Sequence, residues 1–224
     1  MLGLIYDVHG NLPALEAVLD DASGVDSWLL GGDYALFGAW PVETVERLRE
    51  LDAHWIRGNG ERWTAEPDEA PEAVRAAISW CAGMLGRDVV AELHGLPQTH
   101  TDGETLYCHA SPGSDVDSFT LEPGDDEGDL LEGIGSKRVV FGHTHLPFAR
   151  VSDAGIELVN PGSVGMPFDG DPRAAYAVVG DDGAVEHRRV EYDHRASAAA
   201  VRERQGNVGE VAAARIERAS AQAG

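Results

Sequence analysis

The sequence predicts a layered α/β fold, and three observations predict it. A short apolar run ends at an aspartate and leads into a helix start; the same order of strand, loop and helix then returns; and short strands separated by tight turns fill the C-terminal half. Strands that alternate with amphipathic helices bury their apolar faces by stacking sheet against helix.

Residues 2–6, LGLIY, are apolar without interruption and read as a buried strand ending at Asp7. Asn11 is placed to cap the following helix, Pro13 suits its first turn, and Leu12, Leu15, Val18 and Leu19 recur at helical spacing. A second unit runs from Trp28–Leu30 through Gly31-Gly32-Asp33 to a helix over Pro41–Leu51, with Val42, Val45, Leu48 and Leu51 on one face. His54–Arg57 then leads into Gly58-Asn59-Gly60. The segment from Pro71 to Leu93 reads as largely helical and carries no ligand set, so it is expected to be a cap or side packing over about residues 66–96. Thr105–Tyr107 is a strand running into Cys108-His109, and Lys137–Phe141 is one running into Gly142-His143-Thr144-His145. Between them Pro123–Asp129 reads as a loop before a short helix. Phe148–Val151, Ile156–Val159, Ala174–Val179 and Ala184–Val190 are short strands, separated by turns such as Asp181-Asp182-Gly183, and point to an antiparallel sheet. From about Arg195 the chain is rich in Ala, Arg and Glu and predicts helix broken near Gly206-Asn207-Val208-Gly209; packing or exposure of this tail is left open.

Composition narrows the function. A chain of 224 residues is expected to form one domain with a full core, and no apolar run approaches the ~18 residues of a membrane span. The opening MLGLIYDVHG lacks the basic stretch of a secretory signal, and Cys81 and Cys108 are too few for a disulfide framework, so a cytoplasmic location is expected. The formal charge is -22, and Lys137 is the single lysine among 17 basic residues. Such a surface repels polyanions and disfavours long nucleic acid as a partner, whereas a small phosphate ester responds to local cations inside a pocket.

Five segments share one context, the end of an expected strand: Asp7-Val8-His9-Gly10-Asn11, Gly32-Asp33, Gly58-Asn59, His109 and Gly142-His143-Thr144-His145. In open α/β sheets ligands bind at that edge, so residues distant in sequence are expected to converge there. Carboxylate, imidazole and one amide oxygen are donors for divalent cations, and the neighbouring glycines allow tight turns and close backbone approach.

In these motifs the chain resembles the calcineurin-like metallophosphoesterase superfamily, whose pattern is D-x-H, G-D, G-N-H-D/E, H and G-H-x-H in that order. Asn160-Pro161-Gly162-Ser163-Val164-Gly165 and Asp171-Pro172-Arg173 extend the likeness toward its small bacterial phosphodiesterase branch. The resemblance implies a four-layer α-β-β-α sandwich of two mixed sheets flanked by helices, a phosphoesterase domain over residues 1–193 and a helical tail over 194–224. Carried over position by position, it implies one metal held by Asp7, His9 and His145, a second held by Asn59, His109 and His143, and Asp33 bridging both. Asp33, Asn59 and His143 would then serve the reaction directly, with a metal-bridging water as nucleophile and two divalent ions about 3.5 to 4 Å apart clamping the phosphoryl group. Manganese is the first choice of metal, with iron, zinc or nickel as alternatives.

Two positions depart from the pattern. Gly60 stands where the family usually has the histidine near the leaving oxygen, so substrates with good leaving groups are favoured unless His54, His94 or His100 substitutes. Each of those three reads more simply as a solvated or packing residue. Glu61, without that histidine, is expected to hold Asn59 or Arg62. After Asp33 the chain reads Tyr34-Ala35-Leu36-Phe37-Gly38, without the phosphate-gripping arginine of the protein Ser/Thr phosphatases. Phe37, Trp40 and Trp63 either line an apolar pocket or belong to the core. A hydrolase of small phosphodiesters or phosphomonoesters leads; a nuclease acting on DNA or RNA ends and a non-catalytic metal-binding scaffold are the alternatives.

Overall fold

The computed structural model describes residues 1–222. Strands β1 (Leu2–Ile5), β2 (Ser27–Leu30) and β3 (Ala53–Trp55) lie parallel, joined by helices α1 (Leu12–Asp21) and α2 (Pro41–Arg49). Strands β9 (Ala174–Val179) and β10 (Val185–Val190) complete this first sheet in the order β10-β9-β1-β2-β3, with β9 antiparallel to β1. The second sheet has the order β4-β5-β6-β8-β7, built from Thr99–Asp102, Thr105–Cys108, Arg138–Val140, Glu157–Asn160 and Phe148–Val151. Its three central strands, β5, β6 and β8, are parallel. The chain is thus two mixed five-stranded sheets flanked by helices, the sandwich that the resemblance implies.

Period-two alternation explains why uninterrupted apolar runs suit these strands. Leu4, Tyr6 and Leu29 of the first sheet pack with Tyr107, Val140 and Val159 of the second, forming the layer between sheets. Their neighbours Ile5 and Leu30 face the other way, onto Leu15 and Val18 of α1 and Val45 and Leu48 of α2. On the far side Cys108, Val139, Phe141 and Leu158 pack with Phe119 and Leu131, beside the short helix α5 (Glu127–Leu130).

The four late strands do not form one antiparallel sheet. Two hairpin-like pairs are present, but β7–β8 belongs to the second sheet and β9–β10 to the first. Strand β4 is an edge strand of sequence THTD with no apolar alternation to mark it. The expected helical segment is helix α4 (Arg75–His94), broken at Gly86 (φ 76°, ψ 160°) and packed through Ile78, Cys81, Leu85 and Leu93 into the core that also holds Leu36 and Val45. Helix α3 (Asn59–Ala65) follows β3 directly. The C-terminal segment forms α6 (His194–Gln205) and α7 (Glu210–Arg218), and the break falls at Gly206–Gly209. These helices are packed rather than free: Ala198, Val201, Ala212, Ala213 and Ile216 bury Ala39 and Met166. Gln205 Nε2 donates to the carbonyls of Phe37 (3.0 Å) and Gly38 (2.7 Å), which ties the tail to the loop after Asp33.

Candidate metal centre

All seven side chains singled out by sequence lie at the end of the sandwich where β1, β2, β3, β5 and β6 finish. The backbone bends sharply to bring them there. Asp7 (φ 53°), His9 (φ 51°), Asp33 (φ 56°), His143 (φ 63°) and His145 (φ 59°) occupy the left-handed region, as do only Phe37 and Ala219 among the other non-glycine described residues. Each such residue costs on the order of 1 kcal/mol, and strain of this kind concentrates where function requires it. Five turns of the same unfavourable sort, all on motif residues, mark the centre independently of the motifs themselves.

Three imidazoles are fixed by backbone carbonyls. His9 Nδ1 donates to Leu36 O (3.0 Å), His109 Nδ1 to Gly31 O (2.8 Å) and His145 Nδ1 to Met166 O (2.6 Å). With the proton on Nδ1, each Nε2 presents a lone pair to the centre. These lone pairs crowd one another and the carboxylates. His9 Nε2 lies 3.1 Å from His145 Nε2, and His145 Nε2 lies 3.5 Å from Asp7 Oδ1. His109 Nε2 lies 3.6 Å from Asp33 Oδ1 and 3.9 Å from Asp7 Oδ1.

The Asn59 amide completes the set. The atom it directs inward lies 3.0 Å from His109 Nε2 and 2.9 Å from His143 Nδ1. With nitrogen inward it faces these two rings and the Asp115 carbonyl (3.1 Å); with oxygen inward it meets the His109 Nε2 lone pair, an arrangement that a cation satisfies.

Asp7 Oδ2 accepts from the His143 N–H (3.0 Å), while Asp7 Oδ1 is buried and has no hydrogen-bond partner. Asp33 Oδ1 accepts from the Gly60 N–H (2.6 Å). Neither carboxylate pairs with an Arg or Lys among the described residues. Burial, helped by the charge of Asp33, lifts the Asp7 carboxyl well above the usual carboxylate range, and burial pushes Asp33 up to about 7. Burial also holds the imidazoles neutral, lowering His9 to about 3 and His143 to about 4 and depressing His109 and His145. Buried acceptors that lack donors are the chemistry of a cation site, and the donor set fits divalent ions. Asp7, His9 and His145 form one close trio and Asp7, Asp33 and His109 another, so proximity alone does not divide the donors into the two sets that the resemblance implies.

Several supports join segments that the motifs do not connect. Glu61 does not hold Asn59 or Arg62: its carboxylate accepts from the backbone N–H groups of Asp33 (2.9 Å), Tyr34 (2.8 Å) and Gly58 (2.8 Å), binding two motif loops together. Arg62 pairs instead with Asp115 and Glu69. Asn11 caps no helix with its side chain; it donates to Gly165 O (2.8 Å) and accepts from Ser197 Oγ (3.0 Å). Asn160 Nδ2 donates to Gly142 O and to Thr144 Oγ1, both at 2.9 Å, and so shapes the loop carrying His143 and His145. A Cβ at Gly60 would lie 2.7 Å from Asp33 Oδ1, which accounts locally for glycine beside that carboxylate.

None of the three alternative histidines joins the centre: His54 stacks on His100 (4.3 Å between centroids) and His94 faces Glu66 (3.5 Å). Trp63 belongs to the core and Trp40 packs on the tail helices, whereas the Phe37 ring lies 5.6 Å from that of His9.

The model of the calcineurin-like phosphoesterase superfamily domain matches residues 1–182. The chain belongs to this superfamily. A Methanocaldococcus jannaschii protein described only as uncharacterized is 31% identical over 222 residues, covering 86% of this chain and 88% of the relative. Phosphodiesterase YfcE of Escherichia coli is 30% identical over 198 residues, covering 81% of this chain and 89% of its own length. Among solved structures, a metallophosphoesterase from Sphaerobacter thermophilus superposes with a TM-score of 0.84 at 30% identity, covering 97% of this chain and 99% of that one. Superfamily membership and the YfcE relative together support phosphoester hydrolysis as the activity of the chain.

Proposed function

We propose that the chain is a metal-dependent hydrolase of small phosphoesters, holding two divalent transition-metal ions through Asp7, His9, Asp33, Asn59, His109, His143 and His145. One observation carries this reading: buried carboxylate, amide and imidazole acceptors converge without a basic partner, and Asp7 Oδ1 has no donor at all. When bound, such ions acidify a coordinated water and neutralise charge on the phosphoryl oxygens. The chain's own residues do the rest. His9, His109 and His145 are held neutral with Nε2 forward by three backbone carbonyls, Asp7 and Asp33 supply the compensating negative charge, and Glu61 fixes the loops of Asp33 and Asn59. Gly60 offers no proton for the leaving oxygen, which favours aryl esters and phosphoanhydrides over alkyl esters.

Manganese is the proposed metal and a small ester the proposed partner, with long nucleic acid disfavoured by the charge of -22. A cytoplasmic site of action is proposed on the two cysteines, both free and buried. No helix among the described residues is long and apolar enough to cross a membrane.

The test is hydrolysis of bis-p-nitrophenyl phosphate by chelator-treated protein resupplied with Mn²⁺, Fe²⁺, Ni²⁺ or Zn²⁺. Metal-stimulated release of p-nitrophenolate, abolished by Asp33→Asn, is the expected result. Absence of turnover with every metal overturns the reading.

A further inference from the structure

We propose that Arg215, on the C-terminal helix α7, grips a phosphoryl oxygen of the substrate, and that the apolar groove beside it receives a single aromatic ring of the ester. This rests on the phosphoesterase reading and names its substrate class. The loop after Asp33 lacks a phosphate-binding arginine, and the tertiary structure supplies one from almost two hundred residues further along the chain.

The guanidinium carbon of Arg215 lies 5.8 Å from the centroid of the Phe168 ring, and Phe168 stacks on His145 at 4.2 Å and 15°. One aromatic ring therefore separates the guanidinium from an imidazole of the metal centre. Among the described residues Arg215 makes no hydrogen bond or ion pair, and its Nε is buried without a partner. Acidic residues outnumber basic ones 39 to 17, and Arg47, Arg49, Arg62, Arg138, Arg150 and Arg202 hold carboxylates; Arg215 and Arg57 are the arginines whose Nε is buried without a partner, and of the two Arg215 lines the apolar groove. A buried donor without an acceptor is costly, and an arginine's planar fork matches phosphate oxygens.

The groove has a free volume of about 140 Å³ and is lined by Phe37, Val74, Ala77, Met166, Val211 and Arg215, with Ala73 on its exposed rim. Phe37 neighbours His9, and the Met166 carbonyl holds His145, so the groove adjoins the metal ligands. An apolar cavity of roughly 150 Å³ accommodates benzene, so this volume suits one six-membered ring. A cation beside an apolar wall next to a dinuclear site is complementary to an aryl phosphate, anionic at one end and flat and apolar at the other. That leaving group is also the kind that tolerates the missing acid at Gly60.

The experiment measures calorimetric binding of phenylphosphonate and methylphosphonate to the full-length Mn²⁺-loaded protein. Wild type should prefer phenylphosphonate. Arg215→Gln should weaken both ligands by about 10- to 100-fold, Arg215→Lys should restore part of that, and Ala73→Trp, which fills the groove, should remove the preference for phenyl over methyl. With aryl phosphodiester as substrate, Arg215→Gln should act mainly on KM. Equal binding of the two phosphonates by wild type, or unchanged binding by a folded Arg215→Gln protein, overturns the proposal even where metal-dependent turnover persists. A purely structural arginine would lower the melting temperature and leave phosphonate binding unchanged, which also refutes it. Loss of the broader phosphoesterase reading is recognised separately, as absent turnover in wild type.

Discussion

Replacing Asn160 tests whether the loops of the candidate metal centre are held by this residue. Its side chain belongs to a fully buried residue and makes three hydrogen bonds: Nδ2 to Gly142 O and Thr144 Oγ1, both at 2.9 Å, and Oδ1 from the Gly162 N–H at 2.8 Å. In Asn160→Ala the Gly142 carbonyl keeps the Thr144 N–H (2.7 Å), and the Thr144 hydroxyl is half-buried and has access to water. The Gly162 N–H is stranded, at about 1 to 3 kcal/mol, and the two lost bonds add about 0.5 to 1.5 kcal/mol each. The expected total is about 2 to 6 kcal/mol, read from urea unfolding of chelated protein. Because the same bonds shape the loop carrying His143 and His145, Mn²⁺ affinity should also fall about 10- to 100-fold. Asn160→Asp provides the sharper contrast. It keeps the Gly162 bond but turns the donor facing Gly142 O into an acceptor within a buried site, so it should destabilise more than alanine does. If aspartate is tolerated better than alanine, or alanine costs under about 0.5 kcal/mol with Mn²⁺ affinity unchanged, the role given to Asn160 is wrong.

Two further outcomes follow from the buried charges and the close backbone packing. In metal-free protein burial lifts Asp33 and Glu61 to about 7 and Asp7 well above the usual range, so the native state retains protons that the unfolded chain has released, and stability falls as pH rises through 7. The neutral imidazoles act oppositely: with His9 near 3 and His143 near 4, they cost stability as pH falls below about 6.5. The two trends oppose each other below that pH, and the carboxyls act alone above it. Chelated protein should therefore lose thermal stability between about pH 6.5 and 8, Mn²⁺ should reverse the loss, and Glu61→Gln should make the slope shallower. Stability rising over that interval without metal contradicts the burial of these acids. Gly165→Ala would place a methyl carbon 1.9 Å from Val8 O, so circular dichroism melts should show a loss of about 1 to 3 kcal/mol or failure to fold. Wild-type stability in that variant would refute the close approach of these two loops.

Much of the fold was legible because its signals are local. Apolar runs such as LGLIY and the helical spacing of Val42, Val45 and Leu48 record burial directly, and strands buried on both faces leave uninterrupted apolar sequence. Pairing is not local. The late strands read locally as one antiparallel sheet, yet β9–β10 joins β1 and β7–β8 joins β6, because partners are chosen across the whole chain. The polar edge strand β4 left no pattern to read, since one of its sides meets no neighbouring strand.

The candidate donors were legible for a chemical reason: Asp, His and Asn at strand ends beside glycine are residue types that cations require, in a context that can position them. Sequence alone named these candidates, their order and the two departures at Gly60 and Phe37. The tertiary structure decided how they are oriented: which carbonyls fix the imidazoles, that Glu61 binds three backbone N–H groups rather than a side chain, that Asn11 joins the N-terminal loop to the tail, and that Arg215 comes to rest against Phe168, the ring that stacks on His145. Each of these contacts links residues from different segments, 28 apart for Asp33 and Glu61 and 186 apart for Asn11 and Ser197, where no short-range periodicity reports them. Only packing places them together.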